Sequence, residues 1–337
     1  MERIKFIDAT LRDGNHALKQ QISRSIVADY CEKIDDAGLD AVVVGHGNGL
    51  GASSLQVGIA LETDDVLLKT AKEKLKKTTL GAYLIPGFGT IKDNIDSAIE
   101  NGIGLLKVGC HCTEADTTRQ HIEYAKFMNI QAYGILMMYH MASTEKIVEE
   151  AGKMQSYGAD AVILMDSAGA STPELVKKTI SVLKDNLEIE IGFHAHNNLS
   201  LAVANTYAAI CEGATIVDGT IRGLGAGAGN CQLEAIASLL IKEGYKTDLN
   251  LYKMFDVSKD VVAPLMNPPF SGLDDISIVS GMSGVFSAFK VHVLKAADTF
   301  GVDARDIFME LGKQKVVAGQ EDKIIEIAEK IKREKVI

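Results

Sequence analysis

The chain has no tryptophan and only five prolines in 337 residues, and its acidic residues outnumber its basic ones. It contains no apolar run of about 18 residues, the length that a membrane-spanning helix needs, so no membrane span is expected. No apolar signal segment precedes Asp8. A formal net charge of −10 argues against the basic surface on which nucleic-acid binding depends. We therefore expect a globular protein that binds neither a membrane nor nucleic acid.

The five cysteines are an odd number in a long chain. Proteins that depend on disulfides have paired cysteines and are made for oxidising compartments. The cysteine content therefore predicts reduced thiols and a cytoplasmic protein.

Short segments rich in valine, isoleucine and leucine alternate with amphipathic segments through most of the chain. Apolar strands separated by helices predict a parallel sheet that is buried on both faces. Eight such units over about 250 residues predict an α/β fold, the (β/α)8 TIM barrel. The predicted strands are residues 4–7, 41–44, 79–85, 105–108, 130–137, 161–165, 189–193 and 216–217. The predicted helices are residues 23–37, 65–77, 93–101, 119–129, 144–157, 172–186, 200–212 and 232–243.

The pattern changes after Lys246, where the strand-like segments end. Pro264 and the pair Pro268-Pro269 interrupt the chain there, and helices are predicted for residues 283–299, 303–311 and 322–332. We therefore predict two domains, a TIM-barrel catalytic domain of residues 1–262 and a small C-terminal helical domain of residues 263–337.

Charged side chains follow the first predicted strand directly. Arg12, Asp13 and His16 lie within five residues, and Gly14 between them permits a sharp turn. Asp13 offers hard oxygen ligands to a divalent metal, Arg12 can neutralise an oxyanion, and His16 can take a proton near neutral pH. An ordinary strand-to-helix turn with a salt bridge would use the same residues, and this stretch alone does not decide between the two.

Two histidines end the seventh predicted strand. His194 and His196 are two residues apart, so their side chains point to the same face. A lone histidine is more often a satisfied core residue, but two imidazoles and the Asp13 carboxylate make a metal site with open positions. Open positions are typical of a catalytic metal. We therefore predict that Asp13, His194 and His196 bind one divalent cation.

Other polar motifs have simpler interpretations. Cys110 and Cys112 flank a histidine but lack the second pair that a structural zinc site needs, so we expect them to line a pocket. A glycine-rich segment ends at Asn230. It lacks the Gly-Lys-Ser/Thr ending of a phosphate-binding loop. We therefore expect the glycines to allow close backbone packing and Asn230 to lie near the metal. His46 follows the second strand and receives no definite role.

Two stretches resemble the DRE-TIM metallolyase superfamily, namely Asp8-Ala-Thr-Leu-Arg-Asp-Gly14 after the first strand and His194-Ala-His-Asn197 near the seventh. Within it, the chain resembles the 4-hydroxy-2-oxovalerate aldolases over nearly its whole length. The matching landmarks are residues 46–54, 111–116, 120–125, 165–170, 223–230 and 319–322.

This resemblance implies a divalent-metal-dependent, class II pyruvate aldolase. It would cleave a 4-hydroxy-2-oxo acid such as 4-hydroxy-2-oxovalerate to pyruvate and acetaldehyde, as in the breakdown of aromatic hydrocarbons. The implied metal is Mn²⁺, with Mg²⁺ or another divalent ion as substitutes. Arg12 would stabilise the enolate oxygen and His16 would remove the proton of the C4 hydroxyl. Ser167 would bind the substrate carboxylate, and His194 would also contact the substrate.

The resemblance also implies a partner, an acylating acetaldehyde dehydrogenase that receives the aldehyde and would contact the C-terminal helical domain. The sequence is also compatible with a homo-oligomer. One departure stands out, because the family reads Gly-Tyr-Ala-Gly-Val-Tyr where this chain reads Gly281-Met-Ser-Gly-Val-Phe286. Met282 and Phe286 replace both tyrosines, so Phe286 would contact the aldehyde half of the substrate through shape alone.

Two alternatives remain open at the level of the sequence. A Claisen-type condensing enzyme, such as an isopropylmalate or homocitrate synthase, would share the metal ligands. A non-catalytic barrel could serve as a scaffold for a dehydrogenase. A scaffold has no need for the acid, base and metal-ligand side chains together, so their joint presence favours an enzyme.

Overall fold

Eight parallel strands form a closed barrel in this computed structural model, which describes residues 3–266 and 275–335. Each strand pairs with the next along the chain, and the last pairs with the first, which confirms the predicted TIM barrel. The Pro268-Pro269 interruption lies outside the described residues. The strands β1 to β8 are Lys5–Asp8, Ala41–Val43, Thr79–Leu84, Leu105–His111, Gln131–Met137, Ala161–Asp166, Glu190–Ala195 and Ile216–Gly219.

A helix follows each strand, as the alternating pattern predicts. The third connection begins with a π-helical turn, Ile91–Ile95, and a single turn, Gly14–Ala17, precedes the first long helix. The barrel helices α1 to α8 are Arg24–Ile34, Asp64–Lys74, Asp96–Glu100, Arg119–Phe127, Thr144–Ser156, Pro173–Asn186, Ala202–Cys211 and Leu233–Lys242.

Local sequence explains where these helices begin and which face they bury. The Thr172 side chain accepts a hydrogen bond from the Leu175 amide, and Pro173 occupies the first helical position of α6, where its missing N–H costs nothing. In α5, Ile147, Ala151 and Met154 are buried at spacings of four and three residues. That spacing gives one apolar stripe, which packs against the barrel.

Alternating residues of the strands fill the barrel interior. Leu105 and Ile216 belong to the apolar interior cluster. Two residues further along the same strands, on the same face, lie Lys107 and Asp218, which are fully buried. The interior therefore changes from apolar to polar toward the carboxyl ends of the strands, where barrel enzymes place their chemistry.

Helices follow the barrel through the rest of the described chain. The helices α9 to α13 are Leu251–Val257, Asp275–Ser283, Lys290–Phe300, Ala304–Lys313 and Asp322–Lys335. The continuous helix predicted for residues 283–299 is wrong, because Gly284 adopts a left-handed φ of 68° and ends α10. After it, Ser287–Phe289 forms a 3-10 turn before α11 begins. The helices predicted for residues 303–311 and 322–332 are confirmed as α12 and α13.

The last helices share a second apolar core and dock on the carboxyl end of the barrel. Phe289 and Phe308 are among the buried side chains of this core. Docking uses the Asn198 side-chain amide, which donates to the Ser277 carbonyl over 3.1 Å and whose Oδ1 accepts from the Ser287 hydroxyl. None of the helices within residues 3–266 and 275–335 is long and apolar enough to span a membrane.

Candidate active site

An oxygen and two nitrogens that can bind a metal converge at the carboxyl end of the barrel. Asp13 follows β1, His194 lies in β7 and His196 follows it, and all three are buried. The Nε2 atoms of both imidazoles lie 4.0 Å from Asp13 Oδ2. The three potential ligand atoms lie within 4.8 Å of one another. The structure thus brings together the three residues predicted to bind the cation, and three ligands are fewer than a closed structural metal site needs.

Asp13 is held by several donors besides its position after β1. Its Oδ1 accepts hydrogen bonds from the Asn230 side-chain amide at 2.8 Å and from the Ala226 backbone amide at 3.1 Å. Its Oδ2 accepts from Arg12 at 2.8 Å. Burial alone would raise the pKa of Asp13, but Arg12 and the neighbouring imidazoles hold that pKa well below its ordinary value. Asp13 is therefore an ionised carboxylate, and the Asn230 side chain contacts it directly.

Arg12 has more hydrogen-bond donors than its contact with this carboxylate uses. Its guanidinium stacks over the Tyr83 ring at 4.7 Å from the ring centroid. Its Nη1 also donates to the Gly47 carbonyl at 3.3 Å, whereas Nε and Nη2 are buried and have no partner among the described residues. Leaving buried donors unpaired is costly, so such groups point to a ligand that accepts from them. Arg12 can therefore hold an anionic oxygen, the role predicted for it.

His16 is placed against the backbone of the next βα loop. A Cβ at Gly47 would lie 2.5 Å from the His16 ring, so only glycine permits this approach. Gln20 supports the ring, because its Oε1 accepts from the Gly47 amide at 2.9 Å and its Nε2 lies 3.4 Å from His16 Nδ1. Burial lowers the pKa of His16 to about 4. The imidazole is therefore neutral at pH 7.

A small cavity of about 20 Å³ lies among these groups. Its walls come from the barrel and from the C-terminal helices, and they include Arg12, Asp13, His16, His196, Phe286 and Ala288. Two larger clefts, of about 390 and 460 Å³, adjoin it, and Asn48 and Phe286 line all three spaces. The structure thus places Phe286 at the cavity and at both clefts.

Ser167 directly follows β6, and it lines neither the small cavity nor the two clefts. It is fully buried, and its Oγ accepts a hydrogen bond from the Met138 amide at 3.3 Å. A hydroxyl that accepts from an amide keeps its own proton to donate. Its backbone carbonyl accepts from the Ser287 amide at 3.0 Å. The predicted contact between Ser167 and a substrate carboxylate stays a prediction.

The remaining polar candidates have structural contacts. His46 Nδ1 accepts from the Asn48 amide and its Nε2 lies 3.0 Å from the Gly58 carbonyl, so it braces its own loop. Cys112 is buried and donates to the Met138 carbonyl, and burial raises its pKa to about 12. Cys110 lines the larger of the two clefts, as expected, whereas Cys112 lines none of the three spaces.

Three residues in contact with Arg12 or His194, or with their partners, were not predicted from the sequence. The Tyr83 ring makes a cation–π contact with the Arg12 guanidinium, and the Tyr83 hydroxyl donates a hydrogen bond to Met137 Sδ at 3.1 Å. Lys107 and Asp218 form a fully buried ion pair beneath His194. Each of these two is a charged residue in a strand that is otherwise mostly apolar. That departure from the apolar pattern is the signal that could have identified them.

Comparisons with known proteins assign the chain to a family. Residues 3–261 match the HMGL-like family, and residues 272–333 match the DmpG-like communication domain. The fold is similar to the carboxyl transferase domain of Rhizobium etli pyruvate carboxylase, with a TM-score of 0.84 over 98% of this chain and 61% of that one. Sequence identity to that domain is 16%, so the likeness shows the fold alone.

Much more similar relatives cover the chain almost completely. A 4-hydroxy-2-oxovalerate aldolase from Pectobacterium atrosepticum is 49% identical over 97% of this chain and 95% of its own. Relatives of the same name from Spirochaeta aurantia and Geobacillus thermodenitrificans are 48% identical over 96% and 97% of this chain and 95% of theirs. These relatives favour neither the Claisen-type condensing enzyme nor the non-catalytic scaffold. The chain belongs to the HMGL-like family and, within it, to the 4-hydroxy-2-oxovalerate aldolases, which are carbon–carbon lyases.

Proposed function

We propose that this protein cleaves a 4-hydroxy-2-oxo acid, such as 4-hydroxy-2-oxovalerate, to pyruvate and an aldehyde, acetaldehyde in that case. One observation carries the proposal. The unpaired donors of Arg12 lie beside the Asp13, His194 and His196 cluster at the mouth of a barrel. A cation site next to a free guanidinium edge suits a substrate that develops negative charge on an oxygen during the reaction.

The residues present fit a divalent cation. His194 Nε2 is buried, faces Asp13 and has no hydrogen-bond partner among the described residues. One carboxylate and two imidazoles suit Mn²⁺ better than Mg²⁺, because imidazole nitrogen is a poorer ligand for the harder ion. When bound, the cation supplies Lewis-acid stabilisation of negative charge on the 2-oxo oxygen.

Side chains of the protein transfer the proton, stabilise the enolate and bind the substrate carboxylate. Neutral His16 accepts the proton of the C4 hydroxyl while the C3–C4 bond breaks and the C4–O bond becomes the aldehyde carbonyl. The bonding electron pair passes to C3 and is delocalised to the 2-oxo oxygen, where Arg12 donates hydrogen bonds to the enolate. The proton that His16 has accepted then passes to C3, directly or through water, which gives pyruvate and restores neutral His16. Ser167, in this proposal, donates to the substrate carboxylate.

We also propose a partner protein and a separate role for the C-terminal helical domain. Residues 263–337 form a helical domain that closes the aldehyde side of the site through Phe286, and an acylating acetaldehyde dehydrogenase docks on it to receive the aldehyde. The match to a communication domain supports this, as does the position of Phe286 at the cavity. A reducing cytoplasm suits the five free cysteines.

The test is a screen of 4-hydroxy-2-oxo acids for pyruvate release by protein treated with a chelator and then supplied with Mn²⁺ or Mg²⁺. We expect release of one pyruvate and one aldehyde per substrate, dependent on the added cation and faster with Mn²⁺. Absence of release from every acid tested, with the folded protein and either cation, would refute the proposed reaction. Gel filtration with an acylating acetaldehyde dehydrogenase tests the partner separately.

A further inference from the structure

A line of three buried polar groups runs beneath the proposed cation site. Lys107 in β4, Asp218 in β8 and His194 in β7 have fully buried side chains. Lys107 Nζ donates to Asp218 Oδ2, and His194 Nδ1 lies 2.9 Å from Asp218 Oδ1. His194 and Asp218 are also direct neighbours in the register between β7 and β8. The closed barrel thus brings a lysine from one side of its interior to the same carboxylate that contacts the histidine.

The carboxylate decides which nitrogen of His194 carries the proton. An ionised carboxylate only accepts hydrogen bonds, so the 2.9 Å contact requires a proton on His194 Nδ1. In the neutral ring the lone pair is then on Nε2, the atom that lies 4.0 Å from Asp13 Oδ2. That lone pair is what a metal ligand needs, and the same contact fixes the orientation of the ring.

We propose that Asp218 and Lys107 are positioning residues that hold His194 in its metal-binding tautomer, an inference that rests on the proposed function. Asp218 supplies the acceptor for Nδ1–H. Lys107 balances the charge of a carboxylate that has no access to water, and it engages the oxygen that His194 does not use. Without Lys107 the carboxylate would be a buried, unpaired charge, which proteins avoid.

Two double variants separate this role from simple stability. Lys107→Met/Asp218→Asn keeps an oxygen acceptor for His194, whereas Lys107→Met/Asp218→Leu removes it. Both variants delete one positive and one negative charge, so neither leaves a stranded ion, and replacing a buried ion pair by neutral residues of similar size is often tolerated. The pair therefore differs mainly in the acceptor that faces Nδ1.

The measurement is the dissociation constant of Mn²⁺ from chelator-treated protein, by titration calorimetry and by the electron paramagnetic resonance of free Mn²⁺. We expect the Asn variant to stay within a few fold of wild type. The Leu variant should bind Mn²⁺ about 10- to 100-fold more weakly, the usual loss when the hydrogen-bond partner of a metal-binding histidine is removed. Equal affinity of the two variants would overturn the inference.

A second measurement does not depend on either variant folding. Nitrogen NMR of metal-free wild type, with the His194 signals assigned by their loss in His194→Gln, should show the proton on Nδ1 at neutral pH. A proton on Nε2 would overturn the inference. If wild type binds no Mn²⁺, the metal-dependent function fails, while the NMR result still decides the tautomer.

Discussion

The Ser287 amide donates a hydrogen bond to the Ser167 carbonyl over 3.0 Å, joining the C-terminal helices to the end of β6. Asn198 reinforces the same junction, since its Oδ1 accepts from the Ser287 hydroxyl at 3.1 Å. Ser287 directly follows Phe286, and Asn198 lies two residues after His196. The segment that carries Phe286 is thus fixed to the loops that carry the proposed metal and substrate ligands, and the site is completed by both parts of the chain.

Removing one imidazole should abolish cation binding. In His194→Ala, Asp13 and His196 alone would remain, and we expect no stoichiometric Mn²⁺ and no pyruvate release above background. His121→Ala is the control, because His121 is a partly buried histidine of α4 outside the ligand set and outside the cavity and both clefts. Metal content of the purified proteins and pyruvate release measure the effect. Full metal content and full activity in His194→Ala would contradict the assignment.

Arg12→Lys should lose much more activity than the conserved charge suggests. A guanidinium presents several donors in a fixed plane, whereas an ammonium on a flexible stem cannot donate to Asp13, Gly47 and an enolate oxygen together. The enolate charge develops in the transition state, so kcat should fall by about 10²- to 10³-fold, as for loss of an oxyanion donor. Exposed Arg119→Lys serves as the control. A change in KM alone would show that Arg12 binds the substrate without stabilising the enolate.

The free energy of unfolding of the metal-free protein should depend on pH through the Asp8 carboxyl group. Burial raises the pKa of Asp8 from 3.8 to about 6, although Thr10 and Tyr30 donate hydrogen bonds to it. Between these values the folded state binds more protons than the unfolded state, so this carboxyl makes the free energy of unfolding fall as pH rises. At about 1.4 kcal/mol per pH unit the full effect is roughly 3 kcal/mol.

The measurement is urea unfolding of wild type and Asp8→Asn from pH 4 to pH 7, with a chelator present. The asparagine cannot titrate, so the stability of wild type relative to the variant should decline between about pH 4 and pH 6 and then level off. A constant difference between the two proteins across this range would show that Asp8 is not protonated near pH 6 in the folded state.

The proposed ligands could be predicted because short-range sequence fixes them. His194 and His196 share a face through the period-two geometry of a strand, and Asp13 directly follows β1 in a barrel whose strand ends meet. Lys107 and Asp218 could not be paired in this way. They are separated by 111 positions in sequence and become neighbours only when the barrel closes. Local patterns carry no information about which residues face each other across a barrel interior.

The last prediction concerns Phe286, which stands where the resemblance leads us to expect a tyrosine. Its ring lines the small cavity and both clefts and packs edge-on against Phe289 at 5.6 Å between centroids. A phenyl ring can exclude an aldehyde substituent by shape but cannot donate to the C4 oxygen. We therefore expect wild type to discriminate weakly between the C4 enantiomers of 4-hydroxy-2-oxopentanoate, and Phe286→Tyr to discriminate more strongly.

The size of that change follows from one added hydrogen bond. A net contribution of about 0.5–1.5 kcal/mol to one enantiomer alone corresponds to a factor of roughly two to ten in the ratio of kcat/KM values. Phe300→Tyr is the matched control, because Phe300 packs against the C-terminal core and not against the cavity. Pyruvate release from each enantiomer, measured for wild type and both variants, decides the matter. If Phe286→Tyr alters only the melting temperature, as a residue of the helical core would, and leaves the enantiomer ratio unchanged, then Phe286 has no part in recognising the C4 oxygen.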